Sequence, residues 1–107
     1  MGIFDSMFKP DSKPLWPGVT IQSKADLEGL LEKSFIRPQL IFKHSTRCSI
    51  SRYVLSDFIS HYSFSTDELE SHYLDLLNYR EISNQIADQL EVIHQSPQIL
   101  LIKNGKA

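Results

Sequence analysis

The most constraining stretch of the chain is Gln39-Leu40-Ile41-Phe42-Lys43-His44-Ser45-Thr46-Arg47-Cys48-Ser49-Ile50-Ser51-Arg52. Residues 39–43 read as a buried strand, followed by a short polar loop and the start of a helix. The chain's single cysteine, Cys48, stands at that start. A helix N-terminus carries partial positive charge and unpaired N–H groups. Such a place favours thiolate over thiol, and the thiolate is the nucleophile. Arg47 adds a full positive charge next door, so the expectation is a partly exposed, activated thiol.

The rest of the chain repeats the alternation. Residues 1–18 hold Pro10, Pro14, Pro17 and Gly18 and read as an extended lead-in, with Phe4, Phe8 and Trp16 available to dock. A domain over 19–107 follows. Val19-Thr20-Ile21-Gln22 is a short strand. Ser23 is placed as the N-cap of a helix over 24–34, with Leu27, Leu30 and Leu31 on one face. The helix beginning at Cys48 runs over 48–62, and Val54, Leu55, Phe58, Ile59 and Tyr62 mark its core face. Residues 63–71 read as a polar loop and 72–77 as a strand. A helix over roughly 80–92 carries Ile82, Ile86 and Leu90 in one stripe. Strand 98–103 ends at Asn104-Gly105, a type I′ hairpin signal. Strands alternating with helices in the order βαβαβαβ predict an α/β sheet.

Composition closes several routes. The 107 residues allow one domain. A net charge of −2, spread without blocks, does not resemble a nucleic-acid binder's basic footprint. No apolar run approaches the ~20 residues of a membrane helix. Asp5 and Lys9 interrupt the N-terminus, so no signal peptide is expected. Gly2 and Ser6 match a myristoylation spacing that is short and degenerate. One cysteine makes no intrachain disulfide, which suits a reducing, cytoplasmic setting.

The second chemical feature is Gln95-Ser96-Pro97-Gln98 before the apolar run Ile99-Leu100-Leu101-Ile102. Together with Cys48 it has the layout of a thioredoxin-type thiol site. It predicts a cis bond at Pro97 packed beside the cysteine, with the Ser96 backbone open to a substrate segment. Ser51 stands where a Cys-x-x-Cys motif has its second thiol. A Cys-x-x-Ser site can hold a mixed disulfide and needs an outside thiol to resolve it. Thr46, Arg47, Ser49 and Ser51 are the supporting residues. His44 reads as a partly exposed loop histidine within reach of tuning the cysteine. His61, His72 and His94 are scattered, and no zinc-ligand spacing is present. Asp67, Glu68 and Glu70 read as a solvated loop edge rather than an acid/base pair.

The run Pro38–Ser51, with Tyr79-Arg80, Ser83-Asn84, Ile86-Ala87, Val92, His94 and Ser96-Pro97-Gln98, resembles the monothiol bacilliredoxins of the YtxJ type. The likeness extends from about residue 19 to the end. It implies a thioredoxin-like fold: a three-layer α/β domain with a central mixed sheet and helices on both faces. It implies a thiol–disulfide oxidoreductase that removes bacillithiol from protein mixed disulfides. Carried over by position, Cys48 is the attacking thiol, and Ser96 and Pro97 form the substrate-binding loop around a cis proline. Bacillithiol would be the thiol co-substrate, with no tightly bound cofactor and no metal. Bacillithiolated client proteins and a low-molecular-weight thiol would be the partners. A glutaredoxin-like iron–sulfur module and a non-catalytic thioredoxin-fold binding protein are the alternatives.

The chain departs from the family at Ser49, where proline or glycine is common, and the family's last strand and helix are missing. That absence would leave apolar sheet surface uncovered and the Asn104-Gly105 turn without a returning strand. An unpaired edge at 98–103 invites another chain, so a dimer through it is a possible assembly. Thioredoxin's buried aspartate has Phe42 at the equivalent spacing, so no carboxylate relay is expected.

Overall fold

The computed structural model describes residues 16–107. The expected alternation is present: β1 (Val19–Thr20), α1 (Lys24–Lys33), β2 (Gln39–His44), α2 (Ser49–Ser60), β3 (Glu70–Asp75), α3 (Arg80–Leu90) and β4 (Gln98–Ile102). The sheet order is β1-β3-β2-β4. The first three strands are parallel, and β4 runs antiparallel to β2. All six residues of β2 are buried. An inner strand with helices on both faces has no solvated side, so Gln39, Lys43 and His44 are buried along with Leu40, Ile41 and Phe42.

Side chains alternate across the sheet and fill two cores. On one face Ile41, Leu74, Leu100 and Ile102 pack with Leu27 and Leu30 of α1 and Ile82, Ile86 and Leu90 of α3. On the other, Leu40 and Phe42 pack with Leu55 of α2 and Leu69. Trp16 seals this second core. Its ring stacks on Phe58 at 5.7 Å and meets the edge of Phe42 at 5.9 Å. Its Nε1–H donates to the Ser71 carbonyl. Gly18 lets the chain pass close to that same carbonyl, where a Cβ would collide with Ser71. Docking by Trp16 is therefore observed, whereas Phe4, Phe8 and the Gly2/Ser6 motif lie outside the described residues.

Local chemistry sets the element ends. Ser23 Oγ accepts the Asp26 N–H at 3.1 Å, the expected N-cap of α1. Helix α3 stops at Leu90, two residues short of the predicted end, because Glu91 turns left-handed (φ 53°). Helix α2 ends at Ser60 rather than Tyr62, with His61 as its cap. Strand β3 starts at Glu70, not at His72. Polar residues there masked the strand, yet they are satisfied in place. The Glu70 carboxylate accepts Gln39 Nε2–H at 3.1 Å and sits 3.7 Å from Lys33 Nζ and 3.8 Å from Arg37 Nε. Glu70 is thus a paired strand residue, not part of a solvated loop.

The Asn104-Gly105 signal is met, contrary to expectation. Both residues are left-handed (φ 52° and 75°), as a type I′ turn requires. Lys103 and Lys106 exchange backbone hydrogen bonds of 2.8 and 3.0 Å. Ser34 anchors the turn from below: its carbonyl accepts Asn104 N–H, and its Oγ accepts Gly105 N–H. One returning residue suffices. Strand β4 remains one of the sheet's two edges among the described residues, with Ile99 and Leu101 of its α2-side face 45% and 50% exposed.

Candidate thiol site

Cys48 is the N-cap of α2, in extended conformation (φ −99°, ψ 120°), and is half-buried. Its N–H donates to the Ser45 carbonyl at 3.1 Å, closing the loop tightly after β2. Its own carbonyl accepts the Arg52 N–H at 3.0 Å and starts the helix ladder. The N–H groups of Ser49, Ile50 and Ser51 then have no intrahelical acceptor. A cap side chain normally supplies one. Here the sulfur atom occupies the cap residue's side chain and makes no cap hydrogen bond. Thr46, Arg47 and Ser49 are exposed around it.

Ser51, one helical turn on, is fully buried. Its Oγ accepts the Ser45 N–H at 3.1 Å and lies 2.8 Å from His44 Nδ1. The hydroxyl is held inside the protein by both contacts. His44 is not the loop histidine expected from sequence. It is the last residue of β2 and is buried. Burial pushes its pKa down, with Arg52 adding to that and Asp75 and Ser51 opposing. Phe42 is fully buried, so the strand before the site holds an aromatic ring where a carboxylate could have stood.

The Ser96–Pro97 peptide is cis. Its relation to Cys48 follows from register. Lys43 pairs with Gln98 across β2 and β4. One antiparallel step further sets Pro97 opposite His44, at the strand end from which the Cys48 loop departs. The two loops, far apart in sequence, therefore leave the same end of adjacent strands. Ser96 Oγ is buried there without a hydrogen-bond partner.

Sequence reasoning gave no site role to two residues of this region. Lys43 is fully buried; its Nζ donates to the Ser83 carbonyl at 3.1 Å and lies 3.5 Å from His94 Nδ1. Ser83 Oγ lies 3.3 Å from the same nitrogen. Burial pushes the Lys43 pKa down. The available signal was a lysine directly after the apolar run Leu40-Ile41-Phe42 of a strand read as buried. His94 was among the residues carrying the family resemblance and lies three residues before Pro97, but nothing in the sequence linked it to Lys43. His72 is structural: its ring is buried, with Nε2 2.7 Å from Gln39 Oε1 across β2 and β3.

A four-stranded mixed sheet between helices, a lone thiol at a helix cap and a cis proline at the facing strand define a protein of the thioredoxin fold. Solved structures agree. The chain aligns with a candidate oxidoreductase described as having a thioredoxin fold at 24% identity and TM-score 0.62, covering 83% of this chain and 76% of that one. It aligns with the thioredoxin Mala s 13 of Malassezia sympodialis at 19% identity and TM-score 0.64, covering 88% and 79%. Thioredoxin O2 from Arabidopsis thaliana, in its oxidised state, aligns at 19% identity and TM-score 0.59, covering 88% and 80%. The family model of the monothiol bacilliredoxin BrxC matches residues 19–107. The chain belongs to the monothiol bacilliredoxin family and is a thiol oxidoreductase.

Proposed function

We propose that Cys48 removes bacillithiol from protein mixed disulfides. The Cys48 thiolate attacks the bacillithiol sulfur of the client disulfide. A Cys48–bacillithiol disulfide forms, the client S–S bond breaks, and the client sulfur leaves as thiolate to take a proton from water. An outside thiol then attacks the Cys48 adduct, releasing Cys48 and a new disulfide.

The observation that carries this reading is the pairing of a half-exposed cap sulfur with a buried, engaged Ser51 hydroxyl. The N–H groups of Ser49, Ile50 and Ser51 support negative charge on the sulfur. Ser51 offers no second thiol, so the adduct persists until an outside thiol arrives. The loop at Ser96 and Pro97 leaves the facing strand end and supports a role in holding the client segment. Thr46, Arg47 and Ser49 frame the opening.

The test is transfer from a bacillithiolated client, followed by intact mass. One added small thiol per chain is expected, absent in Cys48→Ala. Ser51→Cys is expected to release the thiol unaided. Equal rates with glutathionylated and bacillithiolated clients would remove the specificity for bacillithiol and leave general thiol exchange.

A further inference from the structure

We propose that His94 is a carboxylate-binding residue of this site, its Nε2–H receiving a carboxylate of the incoming mixed disulfide. This inference rests on the exchange reading above and names what the site recognises. The argument starts from Lys43. An ammonium has three donors and no acceptor. With Lys43 charged, its contact with His94 Nδ1 has that nitrogen as the acceptor, and Ser83 Oγ at 3.3 Å can donate to the same atom. The ring proton is thereby placed on Nε2. The result is a neutral imidazole whose free donor is turned away from the buried lysine, on an exposed side chain.

The charge around it points the same way. The charged groups that bear on His94 are Lys43 and Arg80, both cations. Lys43 itself meets a backbone carbonyl and an imidazole, and forms no ion pair among the described residues. A buried ammonium without a carboxylate is costly. An anion arriving at His94 would meet an N–H donor backed by uncompensated positive charge. His94 meets Lys43 one residue before the end of β2 from which the Cys48 loop departs, and Pro97 lies three residues on, so His94 stands at the thiol's end of the sheet. The carboxylate could be carried by the small thiol or by the client chain.

The experiment measures rates of Cys48 adduct formation with an uncharged client peptide carrying 3-mercaptopropionate or 2-mercaptoethanol in disulfide linkage. Each rate is taken relative to that of a free small thiol on the same disulfide. The wild type should favour the carboxylate-bearing adduct about tenfold, the discrimination given by one hydrogen bond to a charged group. In His94→Ala the ratio should fall to near one, and in His94→Gln part of it should return. A third peptide, with Asp beside the cysteine and 2-mercaptoethanol in the disulfide, separates the sources. Preference for it assigns the carboxylate to the client; preference for the first assigns it to the small thiol. Nitrogen shifts of the His94 ring should show Nε2 protonated and Nδ1 bare. A wild-type ratio near one with every peptide, a ratio that survives His94→Ala, or a protonated Nδ1 would overturn the proposal. No adduct on Cys48 from any disulfide would overturn the exchange reading and this one with it.

Discussion

At the residue scale, the site depends on how a few polar groups are held in a buried strand end. His44 and His72 are buried, and burial is the first cause that pushes both pKa values below 6.5. The unfolded chain therefore binds protons first as pH falls below that value. Stability from the two neutral rings is present above 6.5 and is lost as pH falls toward their lower folded values. Urea midpoints should drop between about pH 7.5 and pH 5, and His72→Gln should flatten that slope. A midpoint independent of pH over this range would contradict the burial of both rings. Ser51 has a different sensitivity. Ser51→Ala leaves the Ser45 N–H without its acceptor and should cost about 1–3 kcal/mol, read from the same unfolding curves.

At the element scale, the cap of α1 and the last turn do separate work. Ser23→Ala should cost about 1 kcal/mol by removing the acceptor for Asp26 N–H. Gly105 is left-handed, and a Cβ there would lie 3.1 Å from the Phe35 ring. Gly105→Ala should therefore cost at least about 1 kcal/mol in a urea titration. The Asn-Gly pair, the Ser23 cap and the Ile82/Ile86/Leu90 stripe were legible because each is a local pattern. The start of β3 was not. Glu70 and Ser71 look like loop residues until Gln39, Lys33 and Arg37 arrive from elsewhere to satisfy Glu70.

At the scale of the whole molecule, the two sheet faces are unequally covered. Helices α1 and α3 cover one face; α2 and Trp16 cover the other. Trp16 is the chain's only tryptophan, so its fluorescence reports the second core directly. Trp16→Ala should cost on the order of 2 kcal/mol, since it exposes parts of Phe42, Phe58 and Tyr73. The β4 edge is the other exposed element. A second copy pairing through it would cover Ile99 and Leu101. Sedimentation velocity should then show concentration-dependent dimer in the wild type and monomer in Leu101→Lys. A wild type that stays monomeric at every concentration would reject this assembly.

The sequence by itself determined the alternation of strands and helices, the placement of Cys48 at a helix start, the serine one turn later and the proline before β4. These depend on periodicity, caps and turn residues, which act over a few positions and leave marks a reader can count. Only the tertiary structure decided that His44 is buried against Ser51, that Lys43 donates to the Ser83 carbonyl, and that His94 meets the lysine. Those contacts span sequence separations of 7 to 51 positions and exist only once β2 has been enclosed between helices and paired with β4. A polar residue's surroundings are set by what the fold brings to it, and no local pattern records them.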